Sequence, residues 1–452
     1  MSHNVTPNTS RVELRKTLTL VPVVMMGLAY MQPMTLFDTF GIVSGLTDGH
    51  VPTAYAFALI AILFTALSYG KLVRRYPSAG SAYTYAQKSI SPTVGFMVGW
   101  SSLLDYLFAP MINILLAKIY FEALVPSIPS WMFVVALVAF MTAFNLRSLK
   151  SVANFNTVIV VLQVVLIAVI LGMVVYGVFE GEGAGTLAST RPFWSGDAHV
   201  IPMITGATIL CFSFTGFDGI STLAEEVSEP EKNVGRAILI ALVVIGTVFF
   251  LQTYIVCLIE PDYNKFNAST ALFDACAVAI GDWFRIVLLV VNILAVGIAN
   301  TLNAQAACSR VLFSMGRDRL LPGALAKVHP KFRTPYVAIL LIGVVSLACT
   351  IIFTDEQLTK LVNFGAISSF MMLNLAVIWF FFVKEQRRSG MDLVNYLVYP
   401  LAGTLILLYV WSGFDHLTQI LGFSWLAVGI VFGYIKSKGY KEVPDAFKKS
   451  MM

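Results

Sequence analysis

Charge is what this chain is short of. Asp, Glu, Lys and Arg make up 12% of its 452 residues, against about 25% in a soluble domain. So little water-facing charge cannot clothe a soluble body of this size. Paired cysteines are missing as well. Cys211, Cys257, Cys276, Cys308 and Cys349 are scattered, without a CxxC, and read as small buried hydrophobes rather than a disulfide frame or metal site. The five histidines fall in termini and loops, so no His-centred relay or metal cluster is suggested and no cofactor is expected. A membrane-embedded enzyme would need such a nucleophile–base or metal constellation at depth. The first seventeen residues are polar and the apolar stretch after them lacks a small-residue cleavage site, which argues against a removable signal peptide.

What is present is apolar length. Hydrophobic residues are 58% of the chain and the mean hydropathy is +0.79. Runs long enough to span a bilayer recur throughout. The expected class is an all-α integral membrane protein with twelve transmembrane helices, near 18–45, 51–71, 93–124, 130–146, 153–178, 201–226, 236–259, 283–312, 335–353, 357–383, 393–413 and 418–436. With both termini cytoplasmic, 25 of the 30 Lys and Arg fall on the cytoplasmic side. Four (Arg191, Lys265, Arg285 and Lys360) fall on the other, and Lys118 lies within a span. That bias places the termini inside by the positive-inside rule. No nucleic-acid partner is expected; the surroundings are membrane lipid.

Two spans are interrupted. The sixth carries Ser213, Thr215, Gly216 and Asp218 at mid-depth and ends in Glu225 and Glu226. Irregular backbone inside a bilayer is tolerated where it is buried in protein or lines a cavity, and an ionisable residue there is a functional-site hypothesis by default. The first span carries Met31-Gln32-Pro33, a helix breaker in mid-span. An offset of 180 residues aligns the two: Pro22 with Pro202, Thr35 with Thr215, Phe37 with Phe217, Asp38 with Asp218. Paired interruptions in corresponding segments point to a carrier's binding site. A channel would instead need a polar ring along a continuous pore.

Three long segments carry a resemblance. FTGFDGISTLAEEVSEPEKNVGRAI resembles the sixth-helix signature of the amino acid–polyamine–organocation (APC) superfamily. KLVRRYPSAGSAYTYAQKSISPTVGFMVGWSSLLDY (71–106) resembles its second motif, and NAQAACSRVLFSMGRDRLLPGALAKVHPKFRTP (303–335) its eighth-helix motif. Within the superfamily, VVMMGLAYMQPMTLFDTFGIVSG (23–45) is most similar to bacterial putrescine importers. The resemblance implies a LeuT-like five-plus-five inverted repeat with discontinuous helices 1 and 6 and two extra C-terminal helices. The organisation would be a cytoplasmic segment 1–17, repeats at 18–180 and 201–383, helices 11 and 12 at 393–436, and a basic cytoplasmic tail at 437–452. It also implies secondary active transport across the bacterial inner membrane by alternating access, with putrescine and protons as partners. An amino acid permease or a polyamine/amino acid exchanger of the same superfamily is the alternative.

One departure bears on the substrate. Amino acid carriers of this superfamily usually have a glycine-rich break in helix 1, whose free N–H groups grip the substrate carboxylate. Here the place reads Tyr30-Met31-Gln32-Pro33, crowded and with no N–H at Pro33. A diamine needs carboxylates and aromatic faces instead. A dication crossing a 100 mV, inside-negative potential gains about 4.6 kcal/mol, so import is favoured with or without a coupled proton.

The candidate residues follow. Asp218 is a substrate or proton ligand, the cap of the second half-helix, or both. Asp38 is its symmetric counterpart, ligand or cap. Asp105 lies deep in the third span, thirteen residues before Lys118 and out of its direct reach, with Tyr106 beside it to stack on a cation. Gln32, Phe212 and Ser213 complete the substrate set, Phe214 and Phe217 extending a possible aromatic wall. Glu225 and Glu226 read as a cytoplasmic border facing Lys232, Arg236 or the basic 71–88 loop, with one of them an inner gate. Tyr83 and Tyr85 read as packing or gate contacts. Asn300, Asn303 and Gln305 read as interhelical hydrogen-bonding amides, and Arg317 with Asp318 as loop structure.

Overall fold

The computed structural model describes residues 14–436 apart from 148, 182, 197, 261, 264–271, 274, 275 and 277–281; the side chains at 38 and 282 also lie outside the description. In chain order, α1 (Leu20–Met31) and α2 (Leu36–Leu46) form a broken pair, α3 (Val51–Arg75) follows, and α4 (Ser81–Ser89) is short and buried. Next come α5 (Pro92–Leu124), α6 (Ser130–Arg147) and α7 (Leu149–Phe179). α8 (Val200–Leu210) passes through a 3-10 turn, Cys211–Phe214, into a second break and the short α9 (Gly219–Thr222), and α10 (Pro230–Ile259) follows. α11 (Asp282–Asn292), a π-helical stretch Ile293–Asn300 and α12 (Thr301–Arg317) run on as one rod. The chain closes with α13 (Tyr336–Ile352), α14 (Asp355–Val377), α15 (Met391–Leu393), α16 (Tyr399–Ser412) and α17 (His416–Lys436).

Among the described residues ten helical segments are long and apolar enough to cross a membrane. Two more apolar helices, Leu20–Met31 and Tyr336–Ile352, are shorter. The side chains are sorted for lipid rather than water. On α7, Val158, Val161, Val165 and Val169 face outward while Asn156 and Gln163 are fully buried. Polar groups that cannot meet water find partners between helices, as Asn156 does by donating to Asn303 Oδ1 at 2.7 Å. Close helix approach needs small residues: a Cβ on Gly235 of α10 would sit 3.2 Å from the Cα of Gly70 on α3.

Both interruptions are set by backbone conformation. α1 stops where Gln32 takes φ 54° and ψ 105°, a region that costs a non-glycine residue on the order of 1–3 kcal/mol. Pro33 then blocks continuation. In the second, Thr215 is extended and Gly216 takes φ +104°. The stretch 71–88, expected as a basic loop, instead extends α3 to Arg75 and folds into α4. The Ala, Ser and Tyr residues of α4 are buried beneath α5, Tyr83 and Tyr85 completely. The chain's N-terminal end is tied to the same end of the bundle: Thr17 and Leu18 N–H donate to Glu226 O at 2.9 and 3.1 Å. Of the expected terminal segments, residues 1–13 and all of 437–452 lie outside the described residues.

Candidate functional site

A cavity of about 90 Å³ lies where the two breaks meet α5. Its walls include Tyr30, Gln32, Asp105, Phe212, Ser213 and Gly216. A larger space of about 460 Å³ lies toward the end where α2 terminates, lined by Asp48, His50, Arg191, Ser195 and Glu260. It shares none of the smaller cavity's lining residues, and the deep acids are in the smaller cavity's surroundings.

Asp105 and Asp218 are the centre of the site, 4% and 1% exposed. They lie within electrostatic reach of one another, and Tyr30 within reach of both. Asp218 Oδ2 accepts a hydrogen bond from the Tyr106 hydroxyl. That hydroxyl also meets Ser81 Oγ at 3.1 Å, to which Ser221 Oγ donates at 2.8 Å. Asp218 Oδ1 has no hydrogen-bond partner. Backbone N–H groups of Gly216 and Gly219 approach the carboxylate, but its side chain closes no cap bond at α9. Lys118, remote from Asp105 as its spacing requires, pairs with Glu122 at 3.8 Å. Among the described residues no basic side chain meets either acid. A buried carboxylate without a counter-charge is strongly disfavoured, so the pair calls for a proton or a cationic guest.

The break of the first span turns the carbonyl end of α1 toward the cavity. Gln32 N–H is engaged by Leu28 O at 2.8 Å and Thr35 N–H by Gln32 O at 3.0 Å, and Pro33 has none. The C-terminal end of α1 therefore turns a partial negative charge toward the cavity. The Gln32 Nε2 is buried without a partner. Tyr30 lies flat on the other break: a Cβ on Gly216 would come 2.8 Å from its Cγ, and one on Gly219 2.5 Å from its Cε1. Its ring separates the main cavity from a pocket of about 10 Å³ bounded by Gly27, Ile220 and Asn303.

Below that pocket the bundle is latched by ion pairs. Glu226, 3% exposed, receives Arg310 Nε at 2.5 Å, and Arg310 NH1 donates to Ala306 O at 2.8 Å. Glu225 accepts Arg317 NH1 at 2.9 and 3.0 Å, with Ser78 Oγ and Ala79 N at 3.2 Å. Tyr83 OH donates to Asp318 Oδ2 at 2.6 Å. The ion pairs of the two glutamates thus run to α12 and not to Lys232 or Arg236, while Glu225 also faces the 71–88 segment through Ser78 and Ala79; Lys232 pairs with Glu229 at 2.8 Å. Arg317 and Asp318 are latch residues rather than loop structure.

Other candidates separate. Phe212 lines the cavity, but Phe214 packs on Tyr55 and Phe249, and Phe217 on Tyr69 and Phe370, so there is no three-ring wall. Tyr85 is buried against Tyr69 with its hydroxyl unpartnered, away from the cavity wall. The side chain of Asp38 lies outside the described residues; its backbone sits in the first turn of α2. Asn303 and Gln305 bond across helices to Asn156 and Asn145.

A family model for amino acid permeases matches residues 23–448, almost the whole chain. The chain belongs to the amino acid permease family. The permease is 65% identical over 444 residues to the low-affinity putrescine importer PlaP of Escherichia coli K12, covering 98% of both chains. It is 26% identical to the methylthioribose transporter of Bacillus subtilis over 94% of each, and 25% identical to that organism's branched-chain amino acid permease BcaP over 86% of each. The family is one of multi-pass membrane transporters, not enzymes, and it lies within the APC superfamily.

Three parts of the permease site escape sequence reasoning. Tyr30 looked like an obstruction in a break and is the partition between two pockets. Arg310 lies 84 residues from Glu226; its signal was a lone arginine in the apolar run AACSRVLF. Asn113 carries no motif at all, yet lines the cavity.

Proposed function

We propose that the permease is a secondary active transporter that imports putrescine across the bacterial inner membrane by alternating access, as a proton symporter. Its twelve spans form a five-plus-five inverted repeat with two added helices, and both termini face the cytoplasm. The observation that carries this reading is the buried acid pair, Asp105 and Asp218, with no cation partner among the described residues, beside a break where the Gln32 and Thr35 N–H groups are engaged and Pro33 has none. An ammonium group suits both features: its charge offsets that of the acids and its N–H groups donate to the carbonyl end of α1. Tyr30 and Phe212 offer ring faces to it. An α-carboxylate would find two like charges and, against them, only the neutral amide of Gln32 among the described side chains of the break. The full-length likeness to a putrescine importer supports the same substrate.

In this reading Asp218 carries the proton as well as a share of the substrate, with Tyr106 holding its orientation. Asp38, Gln32 and Ser213 complete the binding set. Glu225 and Glu226 form the cytoplasmic gate with Arg317 and Arg310, their ion pairs holding its closed state. Tyr85 backs that gate by packing rather than by an ion pair.

The test is uptake of labelled putrescine by proteoliposomes, with cadaverine, spermidine, ornithine and arginine as competitors. Diamines should compete in a saturable manner and ornithine should not. At a clamped membrane potential, an inward proton gradient should raise the rate. Uptake of ornithine without diamine uptake overturns the substrate; indifference to the proton gradient overturns symport.

A further inference from the structure

Among the described residues that line it, the cavity is acidic at one end and neutral at the other. Asp105 and Asn113 lie on the same helix, eight residues apart, and both line it. Asn113 Nδ2 donates to Asn300 Oδ1 at 3.0 Å. Asn300 also lines the cavity and closes the π-helical stretch Ile293–Asn300. π-Helical turns are uncommon and recur at functional sites, because the extra residue re-aims the side chains that follow. Here the stretch runs against α5. Only one amide hydrogen is engaged between the two side chains. Whichever way the amides are turned, the bonded pair keeps one carbonyl oxygen free of the other, and none of the described residues donates to Asn113 Oδ1.

We infer that Asn113 and Asn300 form a neutral station for the distal ammonium of the substrate, and that its distance from Asp105 selects chain length. The inference rests on the diamine reading above and deepens it. Asp and Asn side chains have equal length, so the axial separation of their tips follows the backbone rise, about 12 Å for eight residues. A four-carbon diamine extends about 6 Å between nitrogens over five single bonds. A charge-assisted hydrogen bond of about 2.8 Å at either end accounts for the remainder. A three-carbon diamine falls short. A five-carbon one fits with a bend in its chain, and Ala109 and Ile112 between the two ends give that chain an apolar bed.

A neutral station also has a kinetic sense. Two acids at one end hold the first ammonium by charge. Carbonyl oxygens hold the second by dipole, more weakly than a carboxylate would, so the distal end lets go first when the site opens.

The experiment compares diamines of three to six carbons with butylamine, which has one ammonium and the same carbon chain. Each competes against labelled putrescine in proteoliposomes of wild type and of the Asn300→Ala, Asn113→Ala and Asn300→Asp variants. In wild type, the four- and five-carbon diamines should compete best and butylamine about tenfold worse. Either alanine variant should weaken putrescine about tenfold, to the butylamine value, and leave butylamine unchanged. Asn300→Asp should strengthen putrescine several-fold and again spare butylamine; it keeps the side-chain volume, so it answers the question if an alanine variant fails to fold. Equal shifts for putrescine and butylamine, or none for either, overturn the distal station while leaving diamine import standing. Wild-type vesicles that accept no diamine overturn both.

Discussion

Removing Arg310 gives the sharpest test of the latch. The Glu226–Arg310 pair is nearly sealed from solvent, with side chains 4% and 2% exposed and 2.5 Å between Oε1 and Nε. Breaking such a pair from one side leaves a buried carboxylate uncompensated, at a cost of about 3–5 kcal/mol. The cost falls on the closed state alone, since an opened latch lets Glu226 meet water. At about 1.4 kcal/mol per tenfold, Arg310→Leu should shift the balance toward the cytoplasm-open state by about two to three and a half powers of ten. Cys308, buried two residues away on α12, reports the change. In a variant keeping Cys308 as its single cysteine, a membrane-impermeant maleimide applied from the cytoplasmic face should label it rapidly only when Arg310 is replaced. Uptake should collapse, because a carrier that cannot close inside cannot accumulate. The pairing of Glu226→Gln with Arg310→Leu removes both charges and should recover much of the protection. Unchanged labelling and unchanged uptake in Arg310→Leu would refute the latch.

Three further outcomes are expected. Asp105→Asn and Asp218→Asn should each abolish putrescine uptake, or raise the half-saturating concentration by more than tenfold, in protein of unchanged detergent melting temperature; normal transport by both would remove the site assignment. Gly216→Ala puts a Cβ 2.8 Å from Tyr30 Cγ at φ +104°, strain of about 1–3 kcal/mol before any clash, and should lose uptake and melt earlier; wild-type behaviour would mean that the break is not rigid. Gln32→Gly with Pro33→Gly restores free N–H groups to the first break and should let ornithine compete; its continued exclusion would count against the carboxylate argument.

How far the chain was legible depended on whether a feature was local. Spans announce themselves by composition, and the run expected at 130–146 is the helix Ser130–Arg147. The breaks were readable because Pro33 and Gly216 act on their own backbone. Partners were not. Glu225 and Glu226 sit six to eleven residues from Lys232 and Arg236, yet pair with arginines more than eighty residues on, because the ends of spans 6 and 8 meet in space. The triplet Phe212, Phe214 and Phe217 suggested one wall. A 3-10 turn followed by an extended Thr215 rotates successive residues off a common face, so each ring meets a different helix. The segment holding α4 read as solvated because of Lys71, Arg74, Arg75 and Lys88. Its burial comes from the small and aromatic residues that follow the two arginines.

Charge along the axis of the bundle ties the site to the latch. Among the described side chains, Asp105, Asp218, Glu226 and Glu225 follow one another there. The two arginines of α12 pair with the last two, and nothing basic among the described residues meets the first two. The gate glutamates therefore each have a counter-charge while the site acids do not. Tyr30, pressed on Gly216 and Gly219, stands between them. On the proposed reading, a cation or proton that neutralises Asp218 also loosens its hold on the Tyr106 hydroxyl, and with it the Ser81–Ser221 link that joins α4 to α9. That link ends four residues before Glu225, so charge in the site is felt at the gate through hydrogen bonds already in place. A zwitterion would bring no net charge to the acids and so could not drive this step.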